Sequence, residues 1–290
     1  MERIASGYQL AEAPVATADG GVIFSDILGG GVHRWSPGTG DVSTVVPKRR
    51  GVGGIVRHAD GGLVLTGRDV IHVAGEDAET GTGVGAGAGA GTSRVLYDAE
   101  GVAGINDLTV DPDGHVVVGR LHFRPFAGQP PVPGEFVRIE ADGTTRVVME
   151  GVQWANGCAF SPDGGTFYGC DYHRGLVLAC ERRDDGSYGT SRIAAVSPSG
   201  HADGMAVDET GALWVALGPH GTVGRFRPDG QLDSELDVPA KFVASLCFGG
   251  ADGRDMFITT PDTTEDPRLD GCVFHTRVEV AGAPLLPATM

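Results

Sequence analysis

Apolar residues in this chain come in runs of four to six, and no long segment repeats them at helical spacing. Each run is closed by a cluster of Pro, Asp, Asn, Ser and Gly. Short runs bounded by such turn residues read as strands, so the chain is predicted to be all-β. One segment, WANGCAFSPDG from Trp154 to Gly164, sets a polar residue at the head of a short apolar strand that ends in a Ser-Pro-Asp-Gly turn. Its pattern recurs. Counting eight residues back from each turn glycine gives Glu12 before Gly20, Gly53 before Gly61, Asn106 before Gly114, Asn156 before Gly164, Asp203 before Gly211 and Ser245 before Gly253. Successive heads lie 41, 53, 50, 47 and 42 residues apart. A period of about 40–50 residues with several strands per repeat is that of propeller blades. The expectation is a six-bladed β-propeller with about four antiparallel strands per blade, one domain over residues 1–290.

The fourth and fifth repeats scan alike. In the fourth, strands are expected at Cys158 to Phe160, Thr166 to Cys170, Leu176 to Glu181 and Thr190 to Val196. In the fifth they fall at Met205 to Val207, Leu213 to Ala216, Thr222 to Arg227 and Leu232 to Leu236. The first strand of a blade lines the central channel, so the six heads form a ring at one mouth. Loops after the second strands overhang that mouth and bring Arg120, His122, Tyr172, His173 and His220 there as candidate substrate-binding residues. The long aromatic loop Leu121 to Gly134 is expected to act as a lid. The low-complexity stretch Gly81 to Gly91 is expected to be a flexible connector on the opposite face. Its glycines alternate strictly and lack nucleotide-loop spacing.

Composition narrows the partners. A net charge of −16 with only two lysines, Lys48 and Lys241, argues against nucleic acid or an anionic membrane. The short run Lys48-Arg49-Arg50 reads as a solvated turn. The N-terminal segment lacks a signal-peptide pattern and no run is long enough to span a bilayer, so a cytoplasmic protein is expected. Five cysteines without a C-x-x-C pair read as small buried thiols rather than a disulfide framework.

The chemistry concentrates in the ring. Glu12, Asn106, Asn156 and Asp203 offer hard oxygen donors, whereas Gly53 and Ser245 are small. Two carboxylates and two carboxamides suit one divalent metal ion, with Ca²⁺ first and Mg²⁺, Mn²⁺ or Zn²⁺ as alternatives. Taken singly, Asn156-Gly157 is a hairpin-turn signal. A turn there would leave only three residues before the next turn, and the shared register of the heads opposes it. Asp111-Pro112-Asp113-Gly114 lacks the spacing of a calcium loop and reads as a turn between strands. Serine-hydrolase, zincin and P-loop motifs are missing.

The segments AEAP with FSDI, INDLTVDPDG, NGCAFSPDG and HADGMAVDETGALWVA resemble the senescence marker protein / gluconolactonase / luciferin-regenerating enzyme family over nearly the whole chain. The resemblance implies a six-bladed propeller with a divalent metal in its channel and, often, lactone hydrolysis. It places the family's metal-binding residues on Glu12, Asn156 and Asp203, with Asn106 near the metal or the substrate. Two positions depart from the pattern. Gly104 stands where sugar-lactone enzymes of the family carry an arginine, and Ala16 replaces an aromatic residue. From Gly104 the substrate is expected not to be a sugar-acid lactone, with Arg120 as a replacement for the missing arginine. The expected activity is metal-dependent hydrolysis of a lactone or related ester, with Asp203 as general base and Asp107 or His173 as its rivals. A lyase, isomerase or cyclase on the same metal site, and a binding propeller with a structural metal, are the alternatives.

Overall fold

Six positive-φ glycines mark the repeat in three dimensions. Gly20, Gly61, Gly114, Gly164, Gly211 and Gly253 all adopt φ between 70° and 94°. Each donates its N–H to the carbonyl three residues earlier, so the six turns are alike. The computed structural model describes residues 1–75, 93–264 and 270–290; the expected connector Gly81 to Gly91 lies outside them.

The strands form six separate four-stranded antiparallel sheets, the six blades of a propeller. Their inner strands are Ala11–Ala16, Ile55–Arg57, Gly104–Val110, Ala155–Phe160, Met205–Val207 and Ser245–Gly249. Among the described residues the helical content is one 3-10 turn, Pro125–Ala127. Burial follows the radius. Ala11–Ala16 is buried almost throughout, whereas the outermost strand of blade 5, Leu232–Asp237, is exposed along most of its length. Sheets packed on both faces need apolar residues in succession at the centre and polar ones at the rim. The core is accordingly divided into six clusters, each shared by two neighbouring blades.

The fourth and fifth repeats follow the expected strands, with Ala155–Phe160 starting three residues earlier than expected, Arg192–Val196 two later, and the ends of Thr166–Asp171, Thr222–Phe226 and Leu232–Asp237 shifted by one. Blade 6 departs from the linear reading. Its outermost strand is the N-terminal segment Glu2–Tyr8, which pairs with Gly271–Arg277 and closes the ring. At the far end, residues 281–290 cross the channel mouth opposite the heads. They run from blades 5 and 6, where Ala283 N–H donates to Val207 O at 2.8 Å, to blades 2 and 3, where Ala288 N–H donates to Arg57 O at 2.9 Å.

Candidate active site

The ring is shaped by bulges. Opposite Ser25 and Ile23, blade 1 carries Glu12 and Val15, so one extra residue is inserted between them. The same two-for-one irregularity lies between Ile105 and Leu108 in blade 3 and between Ala155 and Cys158 in blade 4. Bulges break strand alternation and re-aim side chains. Here they sit at Asn106-Asp107 and at Asn156-Gly157, and just after Glu12. Where neighbouring inner strands touch, only glycine fits: a Cβ on Gly157 would lie 2.4 Å from Met205 N, and one on Gly204 2.2 Å from Ser245 Oγ. Gly157 N–H donates to Asp203 O at 3.2 Å, and Gly204 N–H to Ala244 O at 2.8 Å, which ties the strands of the ring together.

Three carboxyl groups converge in this ring. Glu12 and Asp203 are 7% and 5% exposed, and Asn156 beside them is 8% exposed. Burial, and then the facing Asp107, push the Glu12 carboxyl up to about 8, against one N–H donated by Ala13 at 2.7 Å. Burial pushes Asp107 up to about 7, although Leu108 N–H donates to its Oδ1 at 2.7 Å. Asp203 lies well above the usual carboxylate range because of burial and then the charges of Glu12 and Asp107, while the Asn156 amide and Gly204 N–H pull it back. No basic side chain is among the influences on any of the three. Buried, mutually repelling carboxyls of this kind either hold protons or surround a cation. Their donors are all hard oxygens, so the residues present fit a divalent metal. Asp107 had been expected only as a rival base; the bulge in blade 3 turns it toward Glu12 and Asp203.

The other expected residues are distributed as follows. Asn106 donates from Nδ2 to Ala155 O at 3.0 Å, and its Oδ1 covers Gly53, where a Cβ would lie 2.6 Å away. Arg120 is opposite Ile105, next to Gly104, and is held by Glu135 through Nε at 2.6 Å and by Tyr97 through Nη1 at 3.1 Å. His122 pairs with the same Glu135 at 3.0 Å. Tyr172 packs between Trp154 and His201, with ring centroids 4.6 and 4.9 Å away, and its hydroxyl feels the charge of Asp203. His173 is exposed. His220 pairs at 3.4 Å with Glu235 on the outermost strand of blade 5, so its ring is turned to the rim of that blade. In the expected lid, Phe123 is buried against Trp154, with ring centroids 5.4 Å apart, whereas Phe126 beyond it is exposed.

An aromatic wall thus runs from Phe123 through Trp154 and Tyr172 to His201, on the side of the ring that carries Asn156 and Asp203. Trp154 and His201 were not among the expected site residues. The signal available for them was their place two residues before Asn156 and Asp203.

Among the described residues, Asp111, Asp113 and His115 bring ligand-type atoms within 4.8 Å of one another. Arginines already serve that group: Arg138 reaches Asp111 at 3.3 Å and Asp113 at 3.4 Å, and Arg182 reaches Asp113 at 2.5 Å. Asp111 also accepts the N–H groups of Asp113 and His115, which makes it the anchor of the turn. All five cysteines are free and buried, as the sequence implied. No helix among the described residues is long and apolar enough to cross a membrane.

Residues 10–262 match the family described as the SMP-30/Gluconolactonase/LRE-like region. The chain is 32% identical over 286 residues to a 6-deoxy-6-sulfogluconolactonase of Pseudomonas putida, covering 94% of this chain and 92% of the relative. It is 29% identical over 263 residues to a pentonolactonase of Haloferax volcanii, covering 87% and 81%. In structure it is similar to a luciferin-regenerating enzyme, with a TM-score of 0.83 at 21% identity over 99% of this chain and 97% of the other. At that identity the likeness bears on the fold.

Proposed function

The chain belongs to the SMP-30/gluconolactonase/LRE-like family, and from that membership we propose that it is a divalent-metal-dependent lactonase that opens the ring of a sugar-acid lactone. One observation carries the reading: the buried carboxyls of Glu12 and Asp203 and the half-buried carboxyl of Asp107 face one another beside the Asn156 carboxamide with no basic group among their influences. The substrate class is drawn from the relatives, two of which are named for sugar lactones. It replaces the expectation based on Gly104. The strand next to that glycine supports the change, because it carries Arg120, a guanidinium fixed by Glu135 and Tyr97 at the level of Ile105.

Glu12, Asn156 and Asp203 would hold the metal, with Ca²⁺ the best match to their oxygens. When bound, the cation supplies Lewis-acid polarisation of the lactone carbonyl. The chain's own groups do the rest. The aromatic wall gives the sugar ring an apolar face to lie on, while Arg120 and His122 offer donors to its hydroxyls. Two carboxylates are candidates for the proton of the attacking water. Asp203 adjoins the Asn156 amide, and Asp107 has one oxygen engaged by Leu108 N–H. Water oxygen adds to the carbonyl carbon, the carboxylate takes its proton, and the ring C–O bond breaks. The leaving alkoxide recovers that proton, and the product is a hydroxy acid.

The test is a panel of aldonolactones followed by acid release with Ca²⁺, Mg²⁺, Mn²⁺ or Zn²⁺ added. Asp203→Asn is expected to lower kcat/KM by about 10²–10³-fold with an unchanged circular dichroism spectrum. Asp107→Asn separates the two roles. Loss of the base lowers kcat at saturating metal, whereas loss of a ligand raises the metal concentration required. A parent protein that leaves every lactone intact with all four metals would sink the proposal.

A further inference from the structure

Behind the ring the channel widens into a cavity of about 700 Å³ that opens on the opposite face. Asp107 and Ser245 are at its inner end, whereas Glu12, Asn156 and Asp203 do not line it. Its walls follow the register of the repeat. Four residues after each head lie Ala16, Arg57, Val110, Phe160, Val207 and Gly249, and all six line the cavity. Five are apolar or lack a side chain, and the sixth is an arginine. The layer two residues after the heads holds Pro14, Ile55, Leu108, Cys158, Met205 and Cys247, none of them charged.

Arg57 is half-buried, and among the described residues its guanidinium has no ion-pair or hydrogen-bond partner. In a chain of net charge −16, half-buried or buried arginines on the third strands of the blades are paired, such as Arg34 with Asp19, Arg138 with Asp111 and Arg225 with Asp208. Its carbonyl is tied to Ala288 N–H, so the backbone below the guanidinium is fixed by the segment that crosses the mouth. From that segment Leu285 and Leu286 also line the cavity, yet are 47% and 46% exposed, and form an apolar lip.

A pocket of this size, with a mostly apolar wall, a single guanidinium and carboxylates only at its inner end (Asp107) and in the exposed turn of blade 4 (Asp163), is built for a small organic ligand. An unpaired guanidinium selects a carboxylate. We propose that the far mouth of the channel is a second binding site, on the opposite face from the lactonase site and meeting it only at Asp107, for a slender amphipathic carboxylate. Its head group sits on Arg57 and its hydrocarbon body runs inward past Ile55, Leu108 and Met205. The three layers from Arg57 to the level of Asp107 span ~10 Å, which suits a medium-chain fatty acid better than a sugar or a nucleotide.

The probe is octanoate, titrated calorimetrically into the metal-loaded protein, with 1-octanol as the uncharged control. Saturable octanoate binding is expected, weakened at least about tenfold by Arg57→Gln and largely kept by Arg57→Lys. Asp203→Asn, which addresses the front site, is expected to bind octanoate as the parent does. Octanoate that fails to saturate at millimolar concentration overturns the proposal. So does an affinity equal to that of octanol, or one indifferent to Arg57→Gln, because then the cavity takes apolar matter without reading charge. The readout needs no lactone, so a protein without lactonase activity that still binds octanoate refutes only the proposed function.

Discussion

Ala13 adopts φ of 50°, a left-handed conformation that non-glycine residues seldom visit. Its N–H thereby donates to Glu12 Oε2, and the bulge that follows lets the carboxyl face the channel. The consequence is testable through pH. Glu12, Asp107 and Asp203 all have folded-state pKa values raised above the ordinary range, so folding favours their protonated forms. In metal-free protein that contribution is complete below about pH 4 and is lost as pH rises through 7 and 8. The Tm of EDTA-treated protein should therefore fall steadily from pH 5 to pH 8.5, and saturating Ca²⁺ should remove most of the fall. A flat Tm profile in EDTA would mean that the three groups do not repel one another. A second expectation concerns the contact between inner strands. Gly157→Ala places a methyl carbon 2.4 Å from Met205 N, and should destabilise the fold by about 1–3 kcal/mol, measured by urea titration. At this scale the sequence register was sufficient for the heads. It brought in Asp107 only as a rival base, because alternation puts adjacent residues on opposite faces and a bulge is not visible in spacing. It was insufficient for His220, whose direction depends on Glu235 in another strand.

In blades 3 and 5, the turn between the first two strands is organised by a buried carboxylate. In blade 5, Asp208 accepts the N–H groups of Thr210 and Ala212, the indole N–H of Trp214 at 3.0 Å and the guanidinium of Arg225 at 2.9 Å. Burial alone would raise its pKa, but these donors outweigh burial and lower it. A depressed carboxyl stabilises the fold above its unfolded pKa and loses that contribution as pH falls through the folded value. Asp208→Ala leaves the Trp214 indole without its acceptor and takes from Arg225 one of its two carboxylates, the other being Asp233 at 2.6 Å, and should cost about 3–5 kcal/mol. For a domain of this size that is a fall in Tm of roughly 6–20 °C, read by calorimetry at pH 7, and the difference from the parent should shrink toward pH 3. A difference that persists unchanged at pH 3 would assign the effect to packing rather than to charge. Asp111 in blade 3 occupies the equivalent place, so DPDG is the turn between strands that its spacing implied, anchored by Arg138. Strands of blades 4 and 5 were legible to within three residues because both ends carry turn chemistry. The strand Glu2–Tyr8 was not, since its partner is more than two hundred and sixty residues away and no local pattern specifies the pairing.

The whole molecule is closed twice, once around the ring and once across the channel, and the two closures have different roles. Around the ring, Glu2–Tyr8 supplies the fourth strand of blade 6 and covers the cluster that holds Phe24, Cys247 and Phe257 between blades 6 and 1. Across the channel, residues 281–290 bridge blades that are not neighbours, and Ala288 enters the cluster between blades 2 and 3. A six-fold register predicts neither closure, because each lies outside the repeat. Removing residues 1–8 exposes the edge of Gly271–Arg277 and opens a blade interface, so it should abolish the cooperative transition or lower Tm by more than any single substitution discussed above. Removing residues 281–290 leaves all six sheets intact. It strips the hydrogen bonds at Val207, Arg57 and Gly114, and should lower Tm by only several degrees while raising amide exchange at Ala59 and Glu209, whose N–H groups donate to the crossing segment. Since the heads are at the opposite mouth, lactone turnover by the shortened protein should stay within about threefold of the parent at temperatures well below its Tm. A collapse of turnover with the blades still folded would show that the segment holds the ring in shape through the channel walls, and that the two faces act as one unit.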